Sequence, residues 1–281
     1  MNKPFVVPVN RDSACQPPSA KDFLVDRTFR GLARIGVVLI LALVAALVFE
    51  VGRKALPGME KHGFDVLFGS VWDVNQGKYG ILPAIWGTLY SAFIALLIAG
   101  FFGVSMAIFL TQDFLPAKLA AVFRTIVELL AAIPSVVYGL WGIYVVIPAI
   151  RPLTTWLNSE LGWVPFFGTS LSGPGLLPAA LVLAIMILPT IAAVSQDALT
   201  SVPMKTKQAA YGMGTTHWEA ILKVMVPSAA TGIFGSLVLG LGRALGETMA
   251  LAMLVGNANN ISLSLFAPAN TLAALLALNF P

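Results

Sequence analysis

Apolar residues in this chain gather into long uninterrupted runs separated by short polar segments. Runs near the length that carries a helix across a bilayer core, about 20 residues, fall at Ile35 to Val51, Ala84 to Leu110, Leu119 to Ile150, Leu176 to Leu199 and Ser228 to Val255. Strands of a membrane barrel would alternate in polarity over segments of about ten residues, and IGVVLILALVAALV from Ile35 to Val48 does not alternate. The pattern therefore predicts an all-α membrane protein, a polytopic transmembrane helix bundle with five visible spans, and excludes a barrel. Composition agrees, since 58% of the 281 residues are hydrophobic and 11% charged. A soluble domain has about 45–50% and about 25%.

The first run follows about 30 polar residues, outlasts the apolar region of a secretory signal and has no small-residue cleavage site after it. Glu50, Arg53 and Lys54 follow instead. It is read as a retained span, and residues 1–30, with Cys15, Pro17, Pro18 and Ser19 in no periodic pattern, as a cytoplasmic tail. The transmembrane domain is then 31–281. One cysteine excludes an internal disulfide and a cysteine-rich metal site.

Short cytoplasmic loops are enriched in Lys and Arg. Lys3, Arg11, Lys21, Arg27, Arg30 and Arg34 precede the first span, Lys118 and Arg124 lie near the second loop, and Lys205, Lys207 and Lys223 occupy the fourth. The other segments hold Arg53, Lys54, Lys61, Lys78 and Arg151, and nothing basic follows Arg243. This asymmetry predicts a cytoplasmic amino terminus. Five spans would leave the carboxyl terminus outside, and the run Leu272 to Leu278 is too short to cross. Either the protein has five spans, or the chain stops before a sixth.

The longest basic loop, PMKTKQAAYGMGTTHWEAILKVMVP from Pro203 to Pro227, has internal order. A helix-compatible stretch begins at Gln208, Gly212 and Gly214 interrupt it, and Thr216 with Glu219 three residues on makes a capping-box pattern. The expectation is helix, turn, helix at the membrane surface, with Tyr211, His217 and Trp218 as contact residues. The segment resembles the EAA loop of binding-protein-dependent ABC permeases: Glu-Ala-Ala, three residues, Gly, nine residues, Ile, one residue, Leu-Pro. Gln208, Ala209, Ala210, Gly214, Val224, Val226 and Pro227 stand at those spacings, with Gln for Glu and Val for Ile and Leu. The resemblance implies a knob that docks a partner ATPase. On the residues alone, an amphipathic helix lying on lipid headgroups is the competing reading.

Charges inside the apolar runs carry the remaining chemistry. Arg243 and Glu247 lie in GLGRALGETMA from Gly240 to Ala250, four apart, and are expected to share a helix face with Ser236 and Gly240. An ionisable side chain at a span's centre costs about 2.5–3.5 kcal/mol on translocon scales, so this stripe is expected to line a pathway or a subunit interface. Two readings stand: mutual neutralisation with Gly242 and Gly246 packing a neighbour, or contact of the Arg243 fork with an oxyanion while Glu247 holds the guanidinium between passages. In the third run Pro134 is expected to kink the helix and free the carbonyl of Leu130, with Ser135 helping to satisfy the freed groups. Arg124 and Glu128 are expected to pair.

Glu128 to Gly142 (ELLAAIPSVVYGLWG), Gly240 to Ala250, and Gly87, Thr88 and Leu89 at the second run resemble the permeases of phosphate-specific ABC importers, of the PstC type, from about Gly31 to Pro281. The resemblance implies a subunit translocating inorganic phosphate across the bacterial inner membrane, with Arg243 and Glu247 in its passage and the Gln208 to Pro227 loop on the ATPase. Implied partners are a second permease (PstA type), cytoplasmic ATPases (PstB type) that carry ATP and Mg, a periplasmic phosphate-binding protein (PstS type) and membrane lipid, with no nucleic acid. The family usually has a sixth span. No Gly-x4-Gly-Lys-Ser/Thr loop occurs, and Glu128, Glu247, His62 and His217 are too scattered for a triad or metal cluster, so no catalytic or metal site and no cofactor of its own is expected. Transport of sulfate or molybdate, a scaffold or sensor role, and proton-coupled transport through Glu247 are the competing functions.

Overall fold

The computed structural model describes residues 20–73, 76–112 and 114–279, so Cys15, the basic residues before Ala20 and the terminal Pro281 lie outside the described residues, as does the side chain of His62. The chain divides into two compact units, Met1–Gly63 and Phe64–Pro281. In the first, helix α1 (Ala20–His62) begins within the segment read from sequence as a tail. Asp26 and Arg30 pair at 2.8 Å before its apolar stretch. Glu50 meets Arg53 at 3.1 Å and Lys54 at 3.6 Å after it.

The second unit opens with helix α2 (Asp65–Phe68) and a two-stranded antiparallel hairpin, β1 (Trp72–Asp73) and β2 (Lys78–Tyr79). Helices α3 (Leu82–Thr111), α4 (Ala117–Ala132), α5 (Ser135–Trp141) and α6 (Ile147–Leu161) follow, the last two joined by a π turn over Gly142–Val146. After α7 (Leu176–Thr200) come α8 (Met204–Gly212) and α9 (His217–Ala220), a second π turn over Ile221–Met225, α10 (Val226–Ser228), α11 (Ala230–Leu245), α12 (Met249–Leu254) and α13 (Leu272–Asn279). Among the described residues, Phe23–Lys61, Leu82–Thr111, Ser135–Leu161 and Leu176–Thr200 are long and apolar enough to cross a membrane, and the pair His217–Ser228 and Ala230–Leu245, bent by 68°, makes a fifth stretch. Apart from that hairpin, the protein is thus a helical polytopic membrane protein.

Helices α3, α7 and α11 form the core, and small side chains let them approach. Ala84, Thr88, Ala92, Ala95, Ala99, Gly103 and Ala107 recur at three- or four-residue intervals on the buried face of α3, the arrangement that brings helices close where lipid supplies no hydrophobic drive. Ile191 of α7 fills two of the notches. A β-carbon on Gly103 would lie 3.0 Å from its side chain and one on Gly240 2.7 Å from it.

Two expected spans are cut. The third run divides at Ile133 and Pro134, both extended, with ψ of 128° and 142°. Proline cannot donate, clashes with the carbonyl four residues back and drives its predecessor out of the helical region. The spanning stretch accordingly begins at Ser135 rather than Leu119. The Leu130 carbonyl accepts from the Tyr138 hydroxyl at 2.8 Å, so Tyr138 takes the part expected of Ser135. The last run is cut at Gly246 to Thr248, between α11 and α12. Beyond it, the segment from Val255 to Thr271 folds over the start of α7: Leu176 N–H donates to the Ala267 carbonyl at 3.1 Å and Leu177 N–H to Leu265 at 2.7 Å. Those amides have no partner within their own helix. The same segment binds the start of α3, where Trp86 donates to the Ser262 carbonyl and Tyr90 to that of Leu263.

Candidate functional site

Helices α7 and α11 run antiparallel, and their contacts can be followed pair by pair. Gly232 sits against Ala198. The hydroxyls of Ser195 and Ser236 lie 2.8 Å apart with both side chains fully buried. Gly240 receives Ile191, and one step further along, Arg243 Nη1 donates to Thr190 Oγ1 at 3.1 Å. The stripe expected to face a pathway is thereby divided. Ser236 and Gly240 are helix-packing positions inside this chain, because a hydroxyl in an apolar bundle is cheapest when bonded to another hydroxyl and because only Gly admits Ile191. Arg243 is exposed and borders a groove of about 590 Å³ lined by Thr190, Gly235, Val238, Leu239 and Gly242. It is the one charged residue of that lining.

Arg243 and Glu247 do not share a helix face, because α11 ends at Leu245. Gly246 N–H still reaches the Gly242 carbonyl at 3.3 Å, but Glu247 N–H turns to Ala244 at 3.4 Å and the ladder stops. Glu247 Oε1 accepts the N–H of Ala250 at 3.4 Å, at the start of α12. A carboxylate there answers unpaired amides and the positive end of the helix dipole. No ion pair joins the two among the described residues. Arg243 is held by a neutral hydroxyl. Arg124 and Glu128 do not pair either. Arg124 donates to the Leu110 carbonyl at 3.4 Å, and both side chains border a second groove, of about 340 Å³, with Gln196 and Asp197.

The loop keeps its predicted helix, turn, helix form. Helix α8 closes on Gly214 at φ 81°, a conformation in which a β-carbon is strained. Gly214 N–H donates to Tyr211 at 3.0 Å and Thr215 N–H to Ala210 at 3.4 Å, the paired bonds of a Schellman stop. Thr216 then caps α9. Its hydroxyl accepts from Glu219 N–H while Glu219 Oε2 accepts from Thr216 N–H at 3.1 Å. The Thr216 amide bond, and next Lys223 at 3.1 Å, hold the Glu219 carboxyl down to about 2. Of the EAA-type positions, Gln208, Ala209, Gly214 and Pro227 are exposed and Ala210 is buried, while Met213 between them is 85% exposed.

His217, expected as a docking contact, makes contacts within the chain. Its Nε2 lies 3.1 Å from the carbonyl of Gln112, at the end of α3, and its Nδ1 lies 2.7 Å from the Tyr211 hydroxyl. Phe114 packs edge-on to it with ring centres 4.9 Å apart and also covers Trp218. Thr190 and this use of His217 went unseen in the sequence. Their partners stand 53 and 105 residues away, beyond the reach of spacing rules. The one local sign was a hydroxyl inside the apolar fourth run.

Residues 99–277 match the family described as binding-protein-dependent transport system inner membrane components. A phosphate transport system permease protein PstC of Mesorhizobium japonicum is 39% identical over 265 residues, spanning 92% of this chain and 80% of the relative. One of the same name from Pasteurella multocida is 40% identical over 262 residues, spanning 92% and 82%. Among solved structures, the inward-facing MetNI methionine ABC transporter is similar at a TM-score of 0.47 and 24% identity, over 62% of this chain and 72% of that one.

Proposed function

Because this chain belongs to the family of binding-protein-dependent transport system inner membrane components, we propose that it is a permease subunit passing inorganic phosphate through an ATP-driven importer, with its amino terminus in the cytoplasm. The observation that carries the proposal is Arg243, charged, exposed on the α11 groove and bonded to the Thr190 hydroxyl rather than to a carboxylate. Against lipid an uncompensated Arg costs about 2.5–3.5 kcal/mol, so the groove is a place for protein, water and anion. A unit charge about 4 Å away is worth about 4 kcal/mol at an effective dielectric constant near 20, enough to offset that cost. A second permease subunit covering this face would complete one pathway between the two chains. Phosphate is favoured over sulfate or molybdate by the names of the relatives.

Energy enters through the loop. Gln208, Ala209, Met213 and Gly214 form a compact exposed turn that fits a groove on a cytoplasmic ATPase, which would bind and hydrolyse ATP with Mg while a periplasmic phosphate-binding protein delivers the anion. The bend of 68° between the arm that holds α9 and α10 and helix α11 is the place where such a push would turn the arm against α11. The test is uptake of labelled phosphate by proteoliposomes containing the complete transporter. We expect uptake that requires ATP and is outcompeted by phosphate but not by sulfate or molybdate. Uptake driven by a proton gradient without nucleotide would defeat the proposal, and preference for sulfate or molybdate would defeat the substrate assignment.

A further inference from the structure

We infer that His217 is the positioning residue that carries motion of the docking loop into α3, by capping that helix from across the chain. The inference rests on the docking reading of the loop but concerns a contact lying behind the docking surface. The last carbonyls of a helix have no partner within it and gather the negative end of its dipole. At the end of α3 the Gln112 carbonyl is one of these, and Gln112 is 2% exposed, so water does not serve it well. His217 Nε2, at 3.1 Å, does. A carbonyl only accepts, so Nε2 is the donor to it, and Nδ1 meets the Tyr211 hydroxyl at 2.7 Å. Tyr211 stands in α8, His217 begins α9, and Gln112 ends α3. One imidazole with both nitrogens engaged therefore joins the loop's two helices to the inner end of a core helix.

The rings around it oppose shear. Phe109 of α3 stacks on Phe114 at 5.5 Å between ring centres, and Phe114 touches both His217 and Trp218 at 4.9 Å. At the other end of α3, about 45 Å away at 1.5 Å per residue, Trp86 and Tyr90 hold the segment that covers the start of α7, and Thr88 accepts from Leu272 N–H at 2.9 Å. A displacement of α8 delivered through His217 moves α3 as a rod and reaches that outer segment without passing through α11.

The experiment compares three variants in proteoliposomes holding the complete transporter, reading phosphate moved per ATP hydrolysed. In His217→Gln the amide reaches the Nε2 position and keeps the donor to Gln112, in His217→Asn it stops at the Nδ1 position, and His217→Phe keeps only the ring packing. We expect the Asn and Phe variants to retain bound ATPase and hydrolysis within about twofold while phosphate per ATP falls about 5- to 10-fold, with Gln within about twofold of the parent, as for a lost coupling between two sites. Equal ratios in the Gln and Asn variants would overturn the inference. So would an equal loss of ATPase binding in both, which would assign His217 to the ATPase contact. Ala209→Glu tests the reading beneath it: retention of the ATPase there would defeat the docking surface and this inference with it. Loss of the ATPase in Ala209→Glu with normal coupling in His217→Asn would defeat the inference alone.

Discussion

The loop from Pro203 to Pro227 and the charged break at the end of α11 both stop a helix at glycine, and they do so by different means. At Gly214 the stop is closed by bonds among neighbours: Gly214 to Tyr211, Thr215 to Ala210, and Thr216 with Glu219 reopening the next helix. At Gly246 the last bonds run to Gly242 and from Glu247 to Ala244 with no left-handed residue to close the turn, the Glu247 carboxylate reaches forward to Ala250, and Arg243 is held from another helix altogether. A self-contained turn is rigid, which suits the proposed docking role. An Arg anchored by one neutral hydroxyl is easily released, which suits the proposed contact with an anion.

The largest effect separates the two regions outright. If Arg243 meets the anion, Arg243→Gln lowers phosphate uptake about 10- to 100-fold, the worth of a charge-assisted hydrogen bond of roughly 1.5–3 kcal/mol. ATPase binding to the loop stays unchanged. Because Arg243 and Glu247 are not paired, adding Glu247→Gln does not restore uptake. Recovery in the double variant, read from initial uptake rates, would show that the two charges only balance one another.

A smaller effect belongs to the loop. Gly214→Val places a β-branched residue at φ 81°, a strain of about 1–2 kcal/mol. We expect the α8 stop to loosen and ATPase co-purification to fall about 5- to 30-fold, by that same energy. Binding of labelled phosphate to detergent-solubilised transporter should not change. Normal co-purification would mean that the turn's shape does not matter to docking.

The same contrast explains what could be read in advance. Spans and the loop's caps were legible because each is written within a few residues: Thr216 and Glu219 stand three apart, and Gly214 and Thr215 close on Tyr211 and Ala210. Where a break intervened, periodic reasoning failed. It carried the third span through Pro134, which ends the helix instead of bending it, and it joined Arg243 to Glu247 across Gly246. Assigning Ser236 and Gly240 to the pathway failed for a related cause. Their face was correctly seen as small and polar, but α7 occupies it, and only the fold shows that Ser195 and Ile191 stand opposite. Thr190 and His217 act at long range, where sequence spacing carries no signal.

The smallest effect tests how self-contained the loop is. Thr216→Ala removes the cap of α9, typically about 1 kcal/mol or a factor of about 5 in local opening. The amides of Glu219 and Ala220, which bond to Thr216, should lose that much protection from hydrogen exchange while those of α11 keep theirs. The cap should also resist acid. The Thr216 amide and Lys223 hold the Glu219 carboxyl at about 2, below its usual 4.5. A depressed carboxylate stabilises the fold above its unfolded value, and this contribution fades as pH falls from there through the folded one. Between pH 7 and 5 Glu219 is ionised in both states, so protection corrected for intrinsic exchange should stay level across that range and weaken only on descending toward 2. Protection already lost between pH 7 and 5 would show that the Thr216–Glu219 cap does not govern the loop's stability.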